Sequence, residues 1–363
     1  MDKLTLAREE ITSIDKQMAQ LFEKRMQAAR MVAEYKREKG LPIFDAGREQ
    51  YLIEKNTGYI GDDELRDYYV DFLKSTMDIS KSYQKRLLGG MRVAYSGVPG
   101  AFAHTSAMRI FDGSTPVSYP DFREAYKAVE KGECDCAVLP IENSFAGDVA
   151  QVMDLAFFGS LHITGIYDLE VSHNLIAKKG TAKSDIKRVI SHPQALSQCA
   201  EFIEANRLTA EESTNTAVAV KLVAESEDGT IAAIGSREAA ELYGLEVIEK
   251  NINQSAQNTT RFAVFSRAAC KESADNRHFV LFFTVKNEAG SLGRAVSVIG
   301  KYGFNLKALK SRPTKQLIWD YYFFAEGEGE INGFAGKAML SELFELCSQV
   351  KLCGSFAKEG VIR

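Results

Sequence analysis

Up to about residue 88, apolar residues return at three- and four-residue steps: Leu4, Ile11, Ile14, Met18, Leu21, Ala28 and Val32. That spacing predicts a long helix with one face packed against other helices. A second helix is expected after the turn "KGLPIF", opening on "DAGRE", and a third near 62–87, ending in "ISKSYQ". Gly89 and Gly90 in "LLGGM" then break the pattern as a linker would. From Arg92 to about Arg267, short strand-like runs alternate with helical ones. Examples are "RVAYSG", "CDCAVLPI", "KRVISHP" and "TIAAIGS", which predict a sheet with covering helices. After the polar stretch "AACKESADNR" the chain reads strand ("HFVLFFTV"), helix ("SLGRAVSVIGKYG"), strand, strand ("IWDYYFFAEG"), helix ("KAMLSELFELC") and strand. This βαββαβ order predicts helices on one face of a small antiparallel sheet. The expected segments are therefore 1–88, 92–268 and 277–363.

Composition narrows the function. The 363 residues are 45% hydrophobic and 26% charged, ordinary for a soluble protein of two or three domains. A net charge of −4 argues against nucleic acid as the partner, so an anionic ligand must be held by local cations. The charged start "MDKLTLAREE" lacks an apolar leader, and no run approaches the ~18 apolar residues of a membrane span. A cytoplasmic location away from membranes is expected. Cys134, Cys136, Cys199, Cys270, Cys347 and Cys353 are too scattered for a disulfide framework. The Cys134/Cys136 pair has no second pair at metal-ligand spacing, so no metal and no cofactor are expected.

Arg8, Arg25 and Lys36 fall on the apolar stripe of the first helix. An unpaired buried cation costs several kcal/mol, so each must pair with a carboxylate, reach outward or hold an anion. Arg8 and Lys36 would lie roughly 42 Å apart on a continuous helix, too far to serve one small ligand. Arg25 and Lys36 would be roughly 16 Å apart, a span that two long side chains and a small dianion can bridge. The geometry therefore predicts a dimer with composite sites. Asp45, Arg48 and Glu49 follow in "DAGRE", and Ser80 and Gln84 stand one turn apart on the third helix. This set contains cations, carboxylates and neutral donors but no nucleophile, which suits binding and polarising an anion.

In the middle segment, "YSGVPGAFAH" is a strand-to-helix turn without the G-x-G-x-x-G spacing of a dinucleotide site. It reads as backbone amides at a helix N-terminus, where an anion could sit. Further on come "PIENSFAG", "SHPQALSQC", "ESTNTAVAV" and "INQSAQNTTRF", each polar beside an apolar strand. Taken singly, each is a turn or helix cap, as His104 is expected to be. Taken as a set, they are the loops that gather ligand groups at strand ends. In the last segment "NEAGSLGRAV" puts Gly290 and Ser291 at a strand-to-helix turn, with Leu292 opening the helix. It is either a capped turn or a place for an amino acid's carboxylate.

With these residues in view, the first segment resembles the all-helical chorismate mutase domain. The remainder resembles prephenate dehydratase with a C-terminal ACT domain, and "PIENS" and "TRF" are the most specific matches. The resemblance covers nearly the whole chain and implies a bifunctional enzyme. Its implied fold is an all-α domain, a two-lobed α/β domain like periplasmic binding proteins, and an α+β ferredoxin-like domain. In the mutase part it implies that Arg8, from a partner chain, Arg25 and Ser80 hold the carboxylates of chorismate. Lys36 and Gln84 would bond the breaking ether, Asp45 and Glu49 the ring hydroxyl, with Arg48 in support. In the dehydratase part, Thr260 would meet the departing hydroxyl of prephenate, with Arg261 for its carboxylates. Glu142, Asn143, Ser144, His192, Gln194 and Ser213 would line the cleft, and water or Glu142 would supply the proton. Gly290, Ser291 and Leu292 would bind phenylalanine as inhibitor, in a homodimer or homotetramer.

The chemistry fits these residue types. A pericyclic rearrangement needs no proton transfer, only a held conformer and stabilised charge. The second step is driven by aromatisation and needs no cofactor. The chain departs from the family at Lys310, in "KSRP", where an acid is common, and at "GSLG", where Gly-Ala-Leu-Val is common. Both put the strength of phenylalanine inhibition in question. The alternatives are a ligand-sensing protein whose mutase-like module only dimerises, and a mutase coupled to a dehydrogenase. The second would need a Rossmann fingerprint.

Overall fold

A computed structural model describes residues 2–254, 258–314, 321–357 and 360–362. The chain divides into two compact units, Met1–Arg92 and Val93–Arg363. None of the described helices is long and apolar enough to cross a membrane.

The first unit holds the helices Lys3–Lys39, Ala46–Thr57 and Arg66–Gly89. Asp2 caps the first by accepting from the Thr5 amide at 2.7 Å, and Gly40 ends it in the left-handed conformation at φ 65°. The break expected at Gly89 and Gly90 falls on Gly90 alone. Gly89 is still helical, while Gly90 takes φ 77°. The expected stripe of the first helix is corrected by the structure. Leu4, Ile11, Ile14, Met18, Leu21 and Val32 are exposed, and the buried residues are Ala29 and Ala33. The helix thus has two apolar faces. The alanine face allows close approach to the third helix, whose buried residues are Leu73, Met77, Ser80 and Gln84. The larger stripe is left uncovered in the single chain.

The second unit is built on three sheets. The first runs in the order Val361–Ile362, His162–Glu170, Thr259–Ser266, Cys136–Asn143, Arg92–Ser96, Thr115–Tyr119, with Gly147–Asp148 beside Cys136–Asn143. The second runs Glu246–Glu249, Asn174–Ala177, Ile231–Gly235, Arg188–Ser191, Thr209–Glu212. The chain crosses between them twice, near residues 171–173 and again in the stretch before Thr259. The third is antiparallel, in the order Asn305–Pro313, Tyr321–Glu328, His278–Thr284, Gln349–Phe356. Residues 318–320 of the expected strand "IWDYYFFAEG" lie outside the described residues.

The central strand of the third sheet, "HFVLFFT", is buried on both faces, which is why it reads as a continuous apolar run. Phe279, Leu281 and Phe283 lie under the helices Ser291–Lys301 and Phe334–Leu346. Val280 and Phe282 face the other way and join the core of the first sheet, with Tyr322, Phe324 and Phe356. Phe157 stacks on Tyr322 there, ring centroids 4.3 Å apart.

Candidate functional site

In the helical unit the buried stripe of the third helix changes from apolar to polar at Ser80 and Gln84. The Arg25 guanidinium donates to the Thr76 carbonyl at 3.2 Å and to the Ser80 hydroxyl. Burial pushes its pKa down, and it makes no ion pair among the described residues. A half-buried cation with only neutral partners is suited to an anion. Gln84 is buried with its Oε1 unbonded among the described residues. Lys36 donates to the Ile43 carbonyl at 2.6 Å, and Glu49 pairs with Lys81 at 2.9 Å. Asp45 caps the second helix through the Arg48 amide at 2.9 Å, while the Arg48 guanidinium lies over Tyr51. Arg8 is exposed, away from this group. Lys81 and Thr76, which contact Glu49 and Arg25, were not singled out in the sequence.

In the second unit the strands Cys136–Asn143 and Thr259–Ser266 pair antiparallel, Asn143 opposite Thr260 and Glu142 opposite Arg261. Pro140 has no N–H to give to the ladder, and the register shifts beside it, between Arg261 and Phe262. Successive strand residues face opposite ways, so these two pairs build two separate clusters.

The first cluster surrounds Asn143. Its Oδ1 accepts from the amides of Phe145 and Ala146, both at 3.0 Å, and from Gln194 Nε2 at 3.2 Å. Its Nδ2 donates to Thr260 Oγ1 at 2.9 Å and to Asn258 Oδ1 at 3.0 Å. Gln194 comes from the second sheet's helix Pro193–Gln198. His192 caps that helix by accepting from the Gln194 amide at 3.2 Å. Ser144 Oγ accepts from the Thr259 amide at 3.0 Å. The Ser213 hydroxyl is buried and has no hydrogen-bond partner among the described residues, so it makes no hydrogen bond to the Asn143 group. The "YSGVPGAFAH" turn packs against the second lobe: Ser236 and Tyr243 donate to the carbonyls of Gly100 and Pro99. His104 accepts from the Gly100 amide at 3.2 Å, and burial lowers its pKa.

The second cluster is ionic. Arg261 grips Glu326 of the third sheet through two nitrogens, at 2.8 and 2.7 Å, and reaches Glu142 and Asp168, each at 3.3 Å. Lys310 lies 2.8 Å from Glu142 and 2.5 Å from Asp148. Burial would raise the Glu142 pKa, but Lys310 and Arg261 outweigh it and hold the carboxyl below its usual range. Arg261 binds three carboxylates on the strand face opposite to that of Thr260. Glu142 shares its oxygens between Arg261 and Lys310. Lys310, of the segment "KSRP", thus joins the third sheet to Glu142 and Asp148 of the first.

At the expected effector turn, Gly290 takes φ 81° and the Ser291 amide is already bonded to the Glu288 carbonyl at 3.2 Å. Arg294 donates to the Ser291 hydroxyl at 2.9 Å, and Leu292 packs on the core under the third sheet's helices. Cys134 and Cys136 are buried, and no metal-binding group of His, Cys, Asp and Glu occurs among the described residues.

Comparison with known proteins agrees with this division. A family model described as chorismate mutase type II matches residues 7–85, and one described as prephenate dehydratase matches 93–270. A bifunctional chorismate mutase/prephenate dehydratase from Aquifex aeolicus is 30% identical over 99% of this chain and 99% of its own. Its counterpart in Neisseria gonorrhoeae is 30% identical over 96% of this chain and 95% of its own. An arogenate dehydratase/prephenate dehydratase of Arabidopsis thaliana is 33% identical but spans 73% of this chain and 72% of its own. Among solved structures, the Arthrobacter aurescens prephenate dehydratase in complex with L-Phe superposes with TM-score 0.69. It has 25% identity and covers 74% of this chain and 90% of its own. A quorum-quenching acylase also reaches TM-score 0.69, at 28% identity over 74% of this chain and 98% of its own.

Proposed function

Because the chain belongs to the bifunctional chorismate mutase/prephenate dehydratase family, we propose that its two reactions run on the Arg25–Ser80–Gln84 group and on the Asn143–Thr260 group. The enzyme converts chorismate to prephenate and prephenate to phenylpyruvate, in phenylalanine biosynthesis. In the first reaction Arg25 and Ser80 hold a carboxylate, and Lys36 and Gln84 bond the ether oxygen as charge builds on it. Asp45 and Glu49 face the ring hydroxyl, with Arg48 behind them. Arg8 enters from a partner chain. The exposed Leu4, Ile11, Ile14, Met18 and Leu21 support that reading, since a second copy would cover them.

In the second reaction the ring carboxylate leaves as carbon dioxide and its electron pair completes the aromatic ring. The ring hydroxyl takes one proton and departs as water. The Asn143–Thr260 bond carries the assignment. Two backbone amides fix the Asn143 oxygen, so its nitrogen must donate to Thr260 Oγ1. The Thr260 hydrogen is thereby directed away from Asn143 and available to the departing hydroxyl. Gln194, Ser144, His192 and Ser213 flank the cleft. The proton comes from water through Thr260, and Arg261 and Glu142 support the strand ends from the opposite face.

The third sheet with its helices is read as an ACT-type domain that binds phenylalanine near Gly290, Ser291 and Leu292. Its βαββαβ order supports this, as does the L-Phe complex of the Arthrobacter protein. The test is to supply chorismate alone to Thr260→Val. Prephenate should accumulate at the wild-type mutase rate, with phenylpyruvate formation down by about 10²-fold or more. Undiminished phenylpyruvate would remove Thr260 from the chemistry.

A further inference from the structure

The polar groups around Thr260 do not end at Asn143. Asn258 Nδ2 donates to Gln198 Oε1 at 2.9 Å, and His173 Nε2 lies 2.8 Å from the same oxygen. His173, Gln198 and Asn258 are 3%, 8% and 2% exposed, so these bonds compete with no bulk water. Each residue comes from a different piece of the fold. His173 sits in the first crossing between the lobes, Asn258 in the second, and Gln198 ends the second lobe's helix Pro193–Gln198. Asn143 belongs to the first lobe.

The chain allows one arrangement of hydrogens. The Phe145 and Ala146 amides can only donate, so the Asn143 oxygen faces them and its nitrogen faces Asn258. Asn258 must then present its oxygen to Asn143 and its nitrogen to Gln198. Gln198 answers with its oxygen, which leaves His173 to donate from Nε2. Turning over any one amide would set two donors or two acceptors against each other in a buried site. Among the described residues His173 Nδ1 and Gln198 Nε2 have no partner.

We infer that His173, Gln198 and Asn258 are positioning residues for the dehydratase step. They lock the two interlobe crossings so that Gln194 of one lobe and Thr260 of the other are presented to the same substrate through Asn143. This rests on the assignment of Thr260 to the departing hydroxyl. None of the three touches substrate.

The test uses the full-length enzyme labelled with ¹⁵N-histidine. His173, identified by its loss in His173→Gln, should show the neutral Nε2–H tautomer throughout the neutral range. The opposite tautomer would overturn the inference, whatever the variants do. Gln198→Met and His173→Leu should lower the prephenate kcat about 10- to 100-fold, the cost of a small misplacement, with little change in KM. His173→Gln keeps a donor for Gln198 Oε1 and should restore kcat to within a few-fold of wild type. Variants that unfold at the wild-type temperature yet keep wild-type kcat would defeat the proposal. Thr260→Val in the same assay separates the two ideas. If it is inactive while the others are normal, only the positioning inference fails. If it is active, the assignment of the site fails first.

Discussion

Glu142 is where the chemistry of one side chain is decided by its neighbours. With Lys310 at 2.8 Å and Arg261 at 3.3 Å, we propose that its carboxylate serves as an anchor and not as an acid. Glu142→Gln should therefore keep dehydratase turnover within about threefold of wild type, whereas loss of a general acid would cost about 10²–10⁴. The same variant should alter acid stability. The folded pKa of Glu142 lies below the unfolded one, so the unfolded chain takes up the proton first. Its contribution is complete above roughly pH 4.3, the ordinary glutamate value, and fades as pH falls towards the folded value. Glu142→Gln should flatten that part of the stability profile, and urea midpoints measured across it would show whether it does. The strand pattern around Thr260 already held the key to this division. In "TTRF", neighbours on a strand cannot face one cleft together, so Thr260 and Arg261 were separable by period alone. His173 was not legible, because a buried polar residue in a crossing segment leaves no local period, and nothing within "SHPQALSQC" or "INQSAQNTTRF" set Gln198 and Asn258 apart from their polar neighbours.

At the scale of elements, the helices and strands followed from apolar spacing, and the partners of the long helix did not. Two faces compete on it, and sequence alone favours the one with larger side chains. Only the packing of Ala29 and Ala33 shows which face the chain covers itself. The joint between the third sheet and the first was equally hidden. It depends on Gly354, in the strand Gln349–Phe356, where a Cβ would lie 1.9 Å from the Ile163 carbonyl oxygen. Gly354→Ala should destabilise the second unit by about 3 kcal/mol or more, the upper end for overpacking. Gly300→Ala, on an exposed helical turn with nothing within 4 Å, should instead stabilise by about 0.5–1 kcal/mol. Equal urea midpoints for the two variants would mean that the sheets are not in close register.

For the whole molecule, the three expected segments become two compact units because the last sheet shares a core with the first. Tyr322 and Phe324 lie in the same apolar cluster as Phe157 and Phe265. Lys310 and Glu326 of that sheet end on the acids and the arginine of the dehydratase strands. An effector at Gly290 would therefore act on a body already continuous with the cleft. The interleaved order of the first sheet bears as well on how the molecule comes into being. Asn143 and Thr260 are 117 residues apart, and the whole second sheet lies between them in the chain. Bringing such distant segments together is entropically slow, while the helical unit and the second sheet close over shorter loops. On dilution from denaturant, mutase activity and helical signal should return first, and dehydratase turnover last. Simultaneous recovery would show that the central strands meet early. If they do meet last, newly made chains pass through an interval in which they can make prephenate but cannot consume it.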